Sequence, residues 1–500
     1  MRHLLALAAT AALLSGCGLV GDSSGSKAAA AGARQPWEKP VRRASCGATD
    51  KVETGLQGQV PLQDRVSGRS QQGYNCNLEI VGQWQGDGAS WQTAWYEDCA
   101  YYGTRGDTTR PDYGVVVVDA SQKSNPRPAG YLQTTPMVDP WESLKVHEQR
   151  KLLGAVDGLG GSGGPDFDVY DISGDCRQPK LLFTGPMGDV GGHEGNWAQT
   201  GMTYWGASTS TYRAFDTTDP AHPVFMLNWA PPSNSNHGLS TNEDGSRLYA
   251  VSLGLAAGAP GNPAGSSNGL VIADVSDIEH RKPGGEVKLV SEMYWTDGSE
   301  TAQHTIPVHI GGKPYIVFVD EAGVSGKACN GTQSPFAFAR IIDIADEKNP
   351  KLAGKLMLDT HYPQNCPVVM ADYSNGQFLF GYDSHYCGVD DPQETTAVAC
   401  GYFNSGIRVF DVRDPYYPRE IAYFNPPAQF GKAAQLQGSQ HATGNGTADN
   451  DAALTADWCS AQVRFRKTAD GGGELWTTCQ DNGFMILKFT NGVWPFRDGM

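Results

Sequence analysis

Three histidines, His193, His237 and His304, are the residues in this chain whose type most directly suggests chemistry. Neutral imidazole is a ligand for Zn, Cu and Fe, and three imidazoles with an open fourth position can polarise a bound water or substrate. Glu194, Glu300 and Glu321 lie near them in sequence and can supply a carboxylate ligand or a general base. Trp91 and Trp141 offer ring faces for stacking on a sugar or another planar group, or bulk to plug a core. No HExxH-like spacing joins the histidines, so no single helix gathers them and the tertiary fold would have to. Unless they converge, each has the ordinary alternative of capping backbone carbonyls in a loop.

The elements that must position them repeat along the chain. An alternating β-branched or aromatic run ends in Asp and a small residue at Asp119, Asp171, Asp216, Asp274, Asp343 and Asp411. A degenerate seventh copy over 483–490 carries Lys488 in place of Asp. A turn and a Pro-led second strand usually follow, beginning at Pro128, Pro179, Pro223, Pro350 and Pro418. Two further strands precede each Asp strand, for example over 315–319 and 378–382. Short alternating strands with no helical period between them mean an all-β array, and four-stranded units repeated radially make a β-propeller, here of seven blades. The recurrent Asp reads as structural, its carboxylate accepting backbone N–H groups of the following turn.

The strands Gly269-Leu-Val-Ile-Ala-Asp274 and Gly406-Ile-Arg-Val-Phe-Asp411, each followed by a polar turn, carry a further likeness. On them the chain resembles the LVIVD repeat family of extracytoplasmic β-propellers, over residues 77–490. The resemblance implies the fold, and no single activity. It also implies a strand order from A, innermost, to D, outermost, with the Asp strand as C and the Pro-led strand as D. Residues 77–86 then look like a D strand with no A, B or C before it, and 483–490 like a C strand with no D after it. The N-terminal strand is therefore expected to complete the last blade, which hides the edges an open array would expose.

Aligned in this way, the units place Trp91, Trp141, His193, His237, His304, Cys366 and Cys459 at the start of strand A, at one mouth of the central channel. Long B–C loops over 253–268, 321–336 and 383–405 and a long D–A loop over 426–458 fall on that same face, where a rigid scaffold usually binds. Two function classes follow. One is a module binding a protein or other ligand on this face. The other is a metal-dependent or redox enzyme, holding one transition metal (Zn, Cu or Fe) in a His-lined site.

The chain has eleven cysteines. Cys17 ends an apolar run over 4–14 and a Leu-Ser-Gly-Cys sequence that resembles a lipobox, so it is expected to be the lipidated residue after a signal peptide spanning 1–17. The other ten are an even number, which suggests disulfides in an exported protein. Sequence does not fix connectivity. Strand geometry favours Cys459 with Cys479 and Cys366 with Cys387, the long loops of adjacent blades favour Cys329 with Cys400, and Cys46 with Cys76 would pin the tether to the propeller. Residues 18–45 are rich in Gly, Ser and Ala and read as a flexible tether within an extension reaching residue 76; residues 491–500 form a tail. A net charge of −16 without a basic cluster argues against nucleic acid as a partner. The expectation is a monomer held at a membrane by acyl chains. Replacing Cys17 by Ser should move the protein from the membrane to the soluble fraction. A Ser variant that stays with membranes, beside a wild type with no acyl mass, overturns the anchor.

Overall fold

The computed structural model describes residues 38–158, 163–188, 192–208, 210–233, 235–254, 268–297, 301–321, 329, 331, 333–372, 380–428, 436–440 and 456–496. Cys17 and Glu300 lie outside them.

Seven four-stranded antiparallel sheets form a ring, a seven-bladed β-propeller. The innermost strands A are Thr93–Tyr96, Lys145–His147, Glu194–Trp197, Asn236–Thr241, Ala302–Ile310, Ser384–Val389 and Arg464–Lys467 in blades 1 to 7. The expected Asp strands are the third strands. Val115–Asp119, for instance, is buried from Val115 through Val118 because sheets pack on both of its faces. Each interblade layer is a core of its own. Tyr249, Val251, Leu270 and Ile272 of blade 4 pack on Ile316, Phe318 and Ile342 of blade 5.

The six Asp residues act as turn anchors. Their carboxylates accept the backbone N–H two residues on, at 2.9 Å for Asp119, 2.7 Å for Asp171, 2.9 Å for Asp216, Asp274 and Asp343, and 3.1 Å for Asp411. Strands C and D are offset by one residue in every blade, including the last. Such bulges increase the local twist of a blade.

Ring closure follows the expected route. Leu78–Trp84 pairs antiparallel with Gly483–Phe489 and completes blade 7. The extension before it is packed from residue 38 on. Tyr74–Cys76 adds a fifth strand to blade 6, and buried Arg408 reaches Glu53 at 2.8 Å and Glu420 at 3.0 Å.

Blade 6 departs from the expected register. Cys366 does not begin strand A; it opens a short helix, Cys366–Met370, in an insertion between blades 5 and 6. Residues 380–382 are not strand, and the stretch expected as a loop over 383–405 contains strands A and B, Ser384–Val389 and Ala397–Tyr402. The insertion carries short apolar runs in its sequence that read like strands A and B, which lie further along the chain.

The disulfides shift with the register. Cys459–Cys479 and Cys46–Cys76 form as expected. Cys387 lies directly across from Cys400 on the neighbouring strand and bonds it. This leaves Cys366 to bond Cys329, in place of the expected Cys366–Cys387 and Cys329–Cys400 pairs. Cys99–Cys176 ties blade 1 to blade 2. Five bridges point to an oxidising, extracytoplasmic compartment. No helix among the described residues is long and apolar enough to cross a membrane.

Removing residues 78–84 should strip the partner from strand Gly483–Phe489 and leave an apolar edge. The deleted protein is expected to lose solubility and thermal stability, read by sedimentation and a melting curve. An unchanged melting curve contradicts closure by this strand.

Candidate metal centre at the channel mouth

Strands A surround the axis, so side chains at their first positions are forced together. His193 immediately precedes strand A of blade 3, and His237 and His385 are the second residues of strands A in blades 4 and 6. Glu142 precedes strand A of blade 2, and Glu321 follows strand B of blade 5. The Nε2 atoms of His193 and His237 are 2.7 Å apart. Oε2 of Glu142 lies 3.5 Å from the first and 3.4 Å from the second. A triangle of those sides has all its corners within about 2 Å of a common point, the length of a His–Zn bond. Oε1 of Glu142 is 3.0 Å, and Oε1 of Glu321 3.3 Å, from Nε2 of His385.

The outer atoms of the rings are fixed. Nδ1 of His237 donates to Glu194 Oε2 at 2.8 Å and is 3.0 Å from the Gln303 carbonyl. Nδ1 of His385 donates to the Ser460 carbonyl at 2.8 Å. With Nδ1 held by these partners, Nε2 faces inward and becomes a ligand once its own proton is displaced, the orientation that metal-ligating histidines share. Oε2 of Glu142 is buried and completes no hydrogen bond.

His304, expected to join His193 and His237, is not brought to this point. Its ring stacks on Tyr386 at 4.4 Å. The cause is a bulge: Ala302 pairs with Asp320 and His304 with Val319, so Gln303 is an extra residue in strand A. Gln303 takes the level of His237 and His385, its amide nitrogen 2.7 Å from Nε2 of His385. His304 drops one level and lines, with Lys145, Glu194 and Tyr386, a channel cavity of about 590 Å³. Glu194 reaches His237 from outside the triangle, and Glu321 joins the cluster. Trp91 packs 5.4 Å from Trp141 and 5.5 Å from His385, in a buried aromatic wall with Phe403 and Trp458. Trp141 sits 6.1 Å from His193, in the left-handed region at φ +48°. Non-glycine residues persist there only where their surroundings impose it.

Sequence reasoning missed Glu142, Gln303 and His385. Glu142 was one residue from an aligned position, as Glu194 is from His193. His385 was hidden by the insertion before blade 6, although Ser384-His385 echoes Asn236-His237.

The electrostatics are those of a cation site. Burial opposes charge on His237, but Glu142, Glu194 and Glu321 outweigh it and hold the imidazole up at about 10. Burial also opposes charge on His385, which Glu142 and Glu321 hold at about 9. Burial pushes Glu142 up, yet His193, His237 and His385 bring it well below the ordinary carboxylate range. His304 is driven well down, by burial first and then by Lys145 and His385. Three carboxylates this close need positive charge among them, as protons or as metal.

No family model and no curated protein matches the chain. Among solved structures it is similar to hydrazine synthase of Kuenenia stuttgartiensis, at 14% identity over 67% of this chain and 77% of that one, with a TM-score of 0.41. It is similar to a putative 6-phosphogluconolactonase of Bacteroides fragilis, at 13% identity over 77% and 92%, with a TM-score of 0.44. It is also similar to the β-propeller domain of Cps50 (Swd1) of Myceliophteria thermophila, at 10% identity over 83% and 100%, with a TM-score of 0.47. None of the three carries an activity over to this chain.

Gly238 is where the backbone makes room. A Cβ there would sit 2.4 Å from both the Gln303 carbonyl oxygen and Glu194 Oε2. Gly238→Ala is therefore expected to cost about 1–3 kcal/mol through overpacking, read as a lower Tm. Gly174→Ala, with nothing near its would-be Cβ, should leave Tm unchanged.

Proposed function

We propose that this protein is an exported propeller of the LVIVD-like kind, lipid-anchored through Cys17. Its channel mouth binds a divalent transition metal, Zn, Cu or Fe, and the metal centre captures a ligand arriving on the long-loop face. The observation that carries the reading is the meeting of His193 Nε2, His237 Nε2 and Glu142 Oε2 at sides of 2.7, 3.5 and 3.4 Å. Imidazole with carboxylate suits these metals. Three ligands leave coordination positions open, which a structural zinc site would fill. Approach is from the side of His193, whose side chain is 20% exposed against 7% for His237 and 0% for His385.

Open positions beside a Lewis-acidic ion also permit metal-assisted chemistry on the captured ligand. Metal-dependent binding comes first whether or not such chemistry follows.

Elemental analysis of the full chain purified without chelator should find one of these metals. His237→Ala should abolish retention, and Glu194→Gln should weaken metal affinity about 10–100-fold by releasing the His237 ring. Wild-type protein that neither retains nor takes up Zn, Cu or Fe refutes the proposal.

A further inference from the structure

We infer that the channel mouth is built for two metal ions, bridged by the carboxylates of Glu142 and Glu321. The inference rests on the metal-binding reading above and goes further, to the nuclearity of the centre. The potential ligand atoms fall into two sets that share Glu142: one with His193 and His237, the other with Glu321 and His385.

The two oxygens of each carboxylate face different nitrogens. Oε2 of Glu142 serves His193 and His237 at 3.5 and 3.4 Å, whereas Oε1 lies 3.0 Å from His385 Nε2. Glu321 repeats the division, with Oε2 3.9 Å from His237 Nε2 and Oε1 3.3 Å from His385 Nε2. An ion seated against His193 and His237 takes the Oε2 side of both carboxylates. His385 and both Oε1 atoms are then left as a second, unfilled set of ligands. Carboxylates that present one oxygen to each of two sites are bridging ligands, and paired ions in such centres lie about 3.5–4 Å apart.

Two buried oxygen atoms without hydrogen bonds fit this arrangement. Oε2 of Glu142 completes none, although its side chain is 2% exposed. Oε1 of Gln303 is likewise buried and unsatisfied, while its amide nitrogen faces His385 Nε2 at 2.7 Å. The amide oxygen and nitrogen exchange places by a half-turn of the side chain. The carbonyl oxygen then joins His385 and the two Oε1 atoms as a fourth ligand of the second ion. The first ion has two imidazoles and carboxylate oxygen; the second has one imidazole and otherwise oxygen. That oxygen-rich set selects Zn, Fe or Mn over a softer ion such as Cu(I).

The experiment is metal titration of the full chain with Zn(II), counted by elemental analysis after gel filtration, beside EPR of the protein loaded with Mn(II). Two Zn per chain and a spin-coupled Mn pair are expected. His385→Ala should bind one Zn and give the spectrum of an isolated Mn. One Zn per chain in the wild type, with uncoupled Mn, overturns the paired centre and leaves the single-ion reading standing. No metal at all overturns both. The wild-type spectrum alone decides the matter if the His385 variant fails to fold.

Discussion

A ring of twisted sheets brings its seven innermost strands to one axis, and the side chains that begin those strands have nowhere else to go. In this chain that constraint depends on one set of hydrogen bonds, between Leu78–Trp84 and Gly483–Phe489. Without it the array has two open edges and no fixed axis. With it, residues as far apart in sequence as Glu142 and His385 come within 3.0 Å of one another. Chain ends and site are thereby coupled. The buried contact of Arg408 with Glu53 and Glu420 adds a second clasp, from the extension to blade 6. Breaking a buried pair of this kind typically costs about 3–5 kcal/mol, because it strands a charge away from water.

Converging on an axis is costly when the converging groups are carboxylates. Glu142 and Glu194 are almost fully buried, and Glu321 is 12% exposed. The protein meets that cost in layers. His385 takes Oε1 of Glu142, His237 Nδ1 takes Glu194, and Lys145, pushed down to about 8 by burial, donates to the Glu142 backbone carbonyl at 3.0 Å. The field that holds His237 and His385 in their charged forms would equally stabilise a dication, because both answers supply the same missing charge. Metal entry into such a site expels protons, so affinity should fall as pH drops.

Much of this is legible in the residue types alone. The Asp turn anchors, the Pro-led outer strands and the closing strand follow from residue types that do the same job in every blade, and repetition averages away local ambiguity. Of the two expected disulfides that form, Cys459–Cys479 ends on strand B of blade 7, whose register the repeat sets, whereas Cys46–Cys76 closes a loop within the extension before the repeat. Legibility failed where the repeat is interrupted. The insertion that carries Cys366 contains a short helix, and the apolar sequence over 378–382 reads like a strand, which displaces the expected register of strands A and B. One misplaced strand cost three inferences at once: the Cys387–Cys400 pair, the Cys329–Cys366 pair, and His385. His304 failed for a subtler reason. A single extra residue reverses which side chains face the axis, and nothing in the residue types around Gln303 announces it.

That extra residue belongs to a pattern. Bulges between strands C and D occur in all seven blades and so belong to the repeat, whereas bulges between strands A and B are recorded in blades 4, 5 and 6. Those three blades supply His237, Gln303 and His385. A regular strand sends alternate side chains to opposite faces, so it offers the axis one residue in two. A bulge lets two consecutive residues turn inward. Here the first of each pair, His237, Gln303 or His385, forms the upper level. The next, Gly238, His304 or Tyr386, forms the level beneath. At Gly238 the lower level is a vacancy, and Glu194 fills it to reach His237. At His304 and Tyr386 it is a stacked pair that floors the site. Irregular pairing confined to three adjacent blades sacrifices ladder hydrogen bonds where a plain propeller would keep them. Such a sacrifice is expected where strand ends must aim side chains at a ligand, and the atoms they aim are those that meet around Glu142.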